Sequence, residues 1–406
     1  MKLLVISNGH GEDIIAVRLI EQLNLAFNNL EITALPIVGE GYAYKKSNIP
    51  LAGKVQNMPS GGFVYMSKNH FFSDIQGGLL QLSLEQLKAV RQYGKSQNTI
   101  LAVGDIVPLL FARLSGSKYA FVGTAKSEYY LRDSTGKWLS QTSWLEKRFA
   151  SVYLPWERWL MRRAVSVYPR DALTTKILQQ QGIKAYNLGN PMMDGFSVAS
   201  KPQQIRQTLK ILLLPGSRSE EALRNWQQIT IAISEIITHI KDYNLVFDAA
   251  IAPALNIVPF QNIILDDGWR RVSSGEMRFE QRQATLWLAQ NAYQEYLQRS
   301  HLAIAMAGTA TEQFVGFGKP AITMFGDGPQ CTFAFMEAQH RLLGCSVLCK
   351  RTPTEVVDAI KSLLNSPQKL PAIFDNGRVR MGNPGAARRI AHHLKTILTT
   401  SDTLVS

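Results

Sequence analysis

Two rhythms of apolar and polar positions alternate along this chain. Short runs of consecutive apolar residues are followed by longer stretches in which apolar residues return every three or four positions. The first rhythm is that of strands buried on both faces, and the second is that of amphipathic helices laid against them. In the first half the runs predict strands at 3–7, 32–36, 100–104, 119–123, 164–168 and 185–188, with helices near 13–27, 83–96, 106–115 and 171–181. The rhythm pauses around Lys201-Pro202-Gln203-Gln204 and restarts at Lys210-Ile211-Leu212-Leu213-Leu214-Pro215, with further strands at 245–249, 285–288, 302–306, 321–325 and 346–348. Strands alternating with crossover helices make an α/β protein. The pause divides it into two Rossmann-like units, 1–198 and 207–380, and a last helix within 381–400 is expected to pack back on the first.

Length agrees, since 406 residues at roughly 100 to 200 per domain suit two cores. Hydrophobic residues at 46% and charged residues at 18% exclude a disordered chain. Forty-four Lys and Arg against 31 Asp and Glu leave a net charge of +13, a field that draws phosphates, nucleic acid or anionic lipid. No nucleic-acid-binding motif accompanies the charge, so nucleic acid is not expected as a partner. Cys331, Cys345 and Cys349 have neither the even count of a disulfide framework nor CxxC spacing, and read as reduced cytoplasmic thiols. The run at 3–7 is too short for a signal peptide, and no stretch of about 18 apolar residues occurs, so any membrane contact is expected to be peripheral.

The candidate chemistry lies in the loops where strands hand over to helices. Asn8-Gly9-His10-Gly11-Glu12-Asp13 follows the first strand, where small residues admit a ligand to the backbone and helix amides attract negative groups. It is not GxGxxG, so a nicotinamide or flavin cofactor is not expected. Leu214-Pro215-Gly216-Ser217-Arg218 repeats the arrangement in the second unit: Gly216 and Ser217 expose backbone donors, and Arg218 offers a fork for a diphosphate. Glu220 and Glu221, just beyond, read as ordinary acidic residues at a positive helix end. Gly308-Thr309-Ala310-Thr311-Glu312-Gln313 again presents amides and hydroxyls at a helix start, where Glu312 or Gln313 suits ribose hydroxyls; the plainer reading makes Thr309 an N-cap. In Gly326-Asp327-Gly328-Pro329-Gln330, Gln330 is the choice for a sugar hydroxyl.

A proton acceptor needs a carboxylate or imidazole at a strand end. Asp105, which follows Gly104, together with His10 and Asp13 are the three candidates, unranked; the plainer reading of Asp13 is a helix cap. His392 and His393, adjacent on a helix, make a poor metal pair, and no metal is called for. Two stretches look made for lipid. One is apolar where a loop is normally polar and contains Phe63, Tyr65, Phe71 and Phe72; the other, from Trp144 to Arg163, mixes Trp156 and Trp159 with Arg162 and Arg163. Aromatic stripes belong to cores more often than to membranes.

On these residues the chain resembles the lipid-A-disaccharide synthase family, in particular its "related" branch. The motifs carrying the resemblance are Leu214-Pro215-Gly216-Ser217-Arg218, Gly308-Thr309-Ala310-Thr311 and Gly189-Asn190-Pro191-Met192-Met193-Asp194. It implies a GT-B glycosyltransferase: a nucleotide-sugar donor on the second Rossmann-like domain, an acceptor on the first, a cleft between them, and inversion without a metal. The chain departs from the family at its first loop, where Gly11 and its neighbours look closer to transferases acting on lipid-linked peptidoglycan precursors or diacylglycerol. It departs again at Gln313, where the family has Glu. Gln330 resembles the donor-sugar Gln of the peptidoglycan transferases.

The resulting expectation is a cytoplasmic enzyme, peripheral to the inner face of a membrane, that moves a sugar from a UDP-sugar to a lipid or lipid-like acceptor and uses no cofactor. One alternative is a UDP-sugar 2-epimerase, which shares the architecture and donor site. Another is a catalytically silent nucleotide-sugar or lipid binding protein. Sugar, acceptor and oligomeric state stay open.

Overall fold

The computed structural model describes residues 1–9, 11–53, 79–95, 98–197, 201, 205–272, 277–326 and 331–403, without the side chains of 79–83 and 400–403. The chain divides into two compact units, Met1–Gly195 with Gly382–Ser406, and Phe196–Met381.

In the first unit β1 (Lys2–Ser7), β2 (Glu31–Pro36), β3 (Thr99–Gly104), β4 (Tyr119–Gly123) and β5 (Ser166–Pro169) form a parallel sheet in the order β2-β1-β3-β4-β5. β3 and β4 are buried at every position, which is why they read as unbroken apolar runs. The connecting helices are α1 (Gly11–Ala26), α2 (Tyr42–Lys46), α3 (Leu79–Gly94), α4 (Ile106–Leu114), α5 (Trp144–Phe149), α6 (Pro155–Arg162) and α7 (Ala172–Gln180). On α1, Ile15, Ala16, Leu19, Ile20 and Leu23 make the inward stripe. The chain runs from β1 to β2 on one side, then crosses to β3 on the other, so the winding reverses at β1. Open α/β sheets bind ligands at the carboxyl ends of the strands flanking such a reversal.

The strand expected at 185–188 is reduced to a single bridge between Ala185 and Val167. Leu188 N–H turns back to Tyr186 O at 3.1 Å, so the segment leaves the sheet after two rungs.

The second unit holds β6 (Thr208–Leu214), β7 (Asn244–Ile251), β8 (Arg270–Arg271), β9 (Arg278–Gln281), β10 (Ala284–Gln290), β11 (Leu302–Ala305), β12 (Ala321–Met324) and β13 (Val347–Lys350), in the order β13-β12-β11-β6-β7-β10-β9-β8. β6 is the first strand and lies between β7 and β11, so this sheet reverses there. Only β8 and β9 join antiparallel. That edge was not foreseen, because its strands are short and mostly charged, Arg270-Arg271 and Arg278-Phe279-Glu280-Gln281, and Phe279 is its sole fully buried side chain. The helices are α8 (Ser219–His239), α9 (Val258–Asp266), α10 (Tyr293–Arg299), α11 (Thr309–Gly316), α12 (Phe333–Leu343), α13 (Pro353–Asn365) and α14 (Leu370–Met381). Trp226 of α8 is fully buried, and its Nε1–H is satisfied by Phe260 O at 3.0 Å.

The last helix, α15 (Ala386–Thr403), returns to the first unit and packs on α1, where Lys395 Nζ donates to Ala26 O at 2.6 Å. Among the described residues no helix is long and apolar enough to cross a membrane.

Candidate functional site

In the second unit the two loops singled out for phosphate follow adjacent strands. Register pairs Ala305 with Leu214, so Pro215-Gly216-Ser217-Arg218 and Met306-Ala307-Gly308-Thr309 leave the sheet side by side at its reversal point. Each opens a helix, α8 and α11, whose first amides lack intrahelical partners and favour an anion. Gly216 sits at φ +108, a region side chains avoid, and a Cβ there would meet Met306 O at 3.2 Å. The Arg218 guanidinium lies 3.5 Å from Glu221 Oε2 and keeps about a third of its surface exposed, at 34%. Gly308, not Thr309, is the N-cap of α11. Thr311 Oγ1 donates to Ala307 O at 2.6 Å, turned into its own helix, and Tyr293 Oη donates to Ala310 O at 2.9 Å. Glu312 and Gln313 are half-buried on the first turn. Gln330 lies outside the described residues.

Two buried amides that sequence reasoning passed over support these loops. Asn225 Nδ2 donates to Pro215 O at 2.9 Å and to Met306 O at 3.3 Å, and Gln339 Nε2 donates to Ala307 O at 3.2 Å. A polar residue inside an amphipathic helix was the available signal.

In the first unit the corresponding strand ends are those of β1 and β3. Asn8 Nδ2 donates to Asp105 Oδ1 at 2.7 Å, and the Asp105 N–H donates to Asn8 Oδ1 at 2.9 Å. The same Asp105 oxygen caps α4 through Val107 N at 2.8 Å. Asp13, on the first turn of α1, is buried and accepts from Ser7 Oγ at 2.6 Å. Since Ser7 spends its proton there, the Tyr44 hydroxyl donates to Ser7. Its neighbour Glu12, quoted in the motif but not chosen from it, is the carboxylate with the most perturbed environment. Burial, reinforced by the Asp105 charge, pushes its carboxyl up to about 7, against the pull of a backbone hydrogen bond. Thr124 Oγ1, at the end of β4, reaches Glu12 Oε1 at 3.4 Å. His10 lies outside the described residues; Gly11 is exposed as the first residue of α1.

Of the lipid-facing candidates, Phe63, Tyr65, Phe71 and Phe72 lie outside the described residues. Trp144, Trp156 and Trp159, on α5 and α6, are 68%, 50% and 48% exposed. Cations stand over two of them: Arg148 is 5.5 Å from the Trp144 ring centre, and Arg113 and Arg163 are 5.5 and 5.8 Å from that of Trp159. Arg162 donates to Gln181 O.

Asn190 and Asp194 have architectural partners. Asn190 Oδ1 accepts from Met192 N at 3.0 Å, and the Asp194 carboxylate accepts from Gly385, Ala386 and Ala387 N–H at 2.5, 2.9 and 2.6 Å, capping α15 from across the unit. Among the described residues no cluster of three or more His, Cys, Asp or Glu is arranged to hold a metal.

No protein-family model matches the chain, and no curated protein matches it. Solved structures do, over nearly its whole length. UDP-GlcNAc 2-epimerase from Neisseria meningitidis, bound to UDP-GlcNAc, aligns with TM-score 0.55 at 13% identity, over 98% of this chain and 100% of its own. MurG from Acinetobacter baumannii aligns with TM-score 0.55 at 14% identity, over 97% and 99%. The chain has the GT-B fold. A third solved structure, the glycotransferase of kitacinnamycin, aligns with TM-score 0.55 at 12% identity, over 97% and 98%. At such identities the likeness is one of fold, and the α/β architecture read from the alternating rhythms is the one observed.

Proposed function

We propose that this protein is a nucleotide-sugar enzyme that transfers a sugar from a UDP-sugar to a lipid or lipid-like acceptor at a membrane surface. The observation that carries the donor half is the pairing of Gly216–Arg218 with Gly308–Thr309 at the reversal point of the second sheet. There two helix N-termini lie side by side, and Arg218, paired with Glu221 at 3.5 Å, is the N-cap of one of them. As the glycosidic bond breaks, charge collects on the leaving diphosphate, and fixed amides with Arg218 stabilise it without a metal. The structural neighbours crystallised with UDP-GlcNAc support a uridine donor.

On the acceptor side a base takes the hydroxyl proton while the sugar carbon is attacked from the face opposite the diphosphate, inverting it. Asp13 is buried and held by Ser7 and Asp105 is bound by Asn8 and Val107, whereas Glu12 carries a carboxyl poised near 7, the range that suits proton transfer at neutral pH. Glu12 therefore joins Asp105, Asp13 and His10 and suits the task best of the described three. The exposed Trp144, Trp156 and Trp159 with their arginines support docking on an anionic bilayer. This would place the enzyme on the cytoplasmic side of a membrane, as a peripheral protein.

A second reading, UDP-sugar 2-epimerase, is favoured by the likeness to the Neisseria enzyme and to the UDP-GlcNAc 2-epimerase from Methanocaldococcus jannaschii, with TM-score 0.54. One incubation separates them. With UDP-GlcNAc and no acceptor, an epimerase yields a 2-epimeric sugar product, while a transferase leaves the donor intact until lipid extract is added and then releases UDP.

A further inference from the structure

Side by side, parallel strands exchange evenly spaced rungs. Between β6 and β11 the last such rung runs from Met306 N–H to Leu214 O at 2.8 Å. The next would run from Gly216 N–H to Met306 O. That bond is not made; Met306 O accepts from Asn225 Nδ2 at 3.3 Å and from Cys331 Sγ at 3.9 Å, and the same Asn225 Nδ2 holds Pro215 O. A trans peptide sets its N–H opposite its C=O. Drawing Pro215 O down to Asn225 therefore turns the Gly216 N–H away from the floor of the loop. Ala307 O, held by Gln339 Nε2 and Thr311 Oγ1, does the same for the Gly308 N–H. On its other side Asn225 Oδ1 accepts from Cys331 Sγ at 3.7 Å, and a Cβ on Gly326 would stand 3.2 Å from the same oxygen. The ends of β6 and β11 and the loop after β12 thus meet on one amide that is 1% exposed. Asparagine is a weak helix former and costly to bury, so its place in the interior of α8 calls for a reason that a leucine would not supply.

We infer that Asn225 is the positioning residue of the diphosphate site: by holding Pro215 O and bracing Met306 O it keeps the Gly216 N–H turned away from the strand ladder, aimed to bind a phosphate oxygen of a nucleoside diphosphate. The inference rests on the nucleotide-sugar reading. Without the amide the rung from Gly216 to Met306 closes and that donor is withdrawn. An aspartate keeps the shape but has no N–H with which to hold the carbonyls.

Calorimetric titration of wild type, Asn225→Leu and Asn225→Asp with UDP, and with uridine as the phosphate-free probe, tests this. UDP affinity is expected to fall at least tenfold in both variants while uridine affinity stays within twofold. UDP affinity within twofold of wild type, or a parallel loss of UDP and uridine, overturns the role. Should the variants fail to fold, 15N-glycine-labelled wild type serves instead: the Gly216 amide resonance must move on UDP binding, and a bound state that leaves it unmoved overturns the inference. A wild-type chain that takes up no uridine nucleotide defeats the donor reading itself, and this inference with it.

Discussion

Asn8 and Asp105 clasp each other across the ends of β1 and β3, each donating one hydrogen bond to the other. Such close approach requires Gly104, whose φ is +131 and on which a Cβ would stand 1.9 Å from Asn8 Oδ1. Gly104→Ala is expected to cost about 3 kcal/mol, combining backbone strain with the broken clasp. Gly116→Ala, also at positive φ but with nothing within 4 Å, should cost only about 1 kcal/mol. Urea unfolding of both variants checks the contrast; equal losses would show that the clasp contributes little.

Glu12 links the same strand ends to pH. Its folded carboxyl is raised from 4.5 to about 7. Below pH 4.5 both folded and unfolded chains hold the proton and nothing is lost. Between 4.5 and 7 the unfolded chain ionises first, so stability falls as pH rises, and above 7 a constant penalty of roughly 3 kcal/mol at most remains. Glu12→Gln should therefore stabilise the protein at pH 8 and leave it nearly unchanged at pH 4. A stability difference that is the same at both pH values would contradict the shift.

Asp194 joins two distant parts of the first unit by capping α15 with three backbone bonds. Removing a buried carboxylate that satisfies three amides is expected to cost about 3 kcal/mol in Asp194→Ala, and less in Asp194→Asn, which keeps one acceptor. Hydrogen exchange should then quicken in α15 before it does in β3. Unchanged protection of 386–395 would count against the cap.

The exposed tryptophans of α5 and α6 predict salt-sensitive binding to vesicles containing anionic lipid. Flotation should weaken as salt rises and the Debye length falls from about 10 Å at 0.1 M. Replacing Trp156 and Trp159 with alanine should weaken flotation at every salt concentration, whereas Arg162→Ala with Arg163→Ala should mainly flatten the salt dependence. Equal flotation on neutral vesicles would argue against an electrostatic component.

Apolar runs made the parallel strands legible, because a strand buried on both faces needs no pattern beyond continuity. Gly, Pro, Ser and Thr at the strand ends marked the phosphate-suited loops, since those residue types allow backbone approach to a ligand. The β8–β9 edge was illegible: Arg270, Arg271, Arg278 and Glu280 are charged as loop residues are, and only the pairing of β9 with β10 and of β8 with β9 reveals strands. Glu12 and Asn225 were missed for a related reason. One resembles any acidic residue in the first turn of a helix, and the other any polar residue on a helical face. Their importance comes from what the fold packs against them. Asp194 belonged to a recognisable motif, but its partners lie about 190 residues away, as the separations of 191 to 193 residues attest.

The proposed donor site of the second unit grips a uridine diphosphate through Gly216, Arg218 and Gly308. Calorimetric titration of the full chain with UDP, repeated on Arg218→Ala, tests it most directly. Saturable binding by the wild type, weakened at least tenfold in Arg218→Ala with an unchanged melting temperature, is the predicted result. No measurable binding of UDP or UDP-GlcNAc to the folded wild-type chain, or equal binding by the variant, would contradict it.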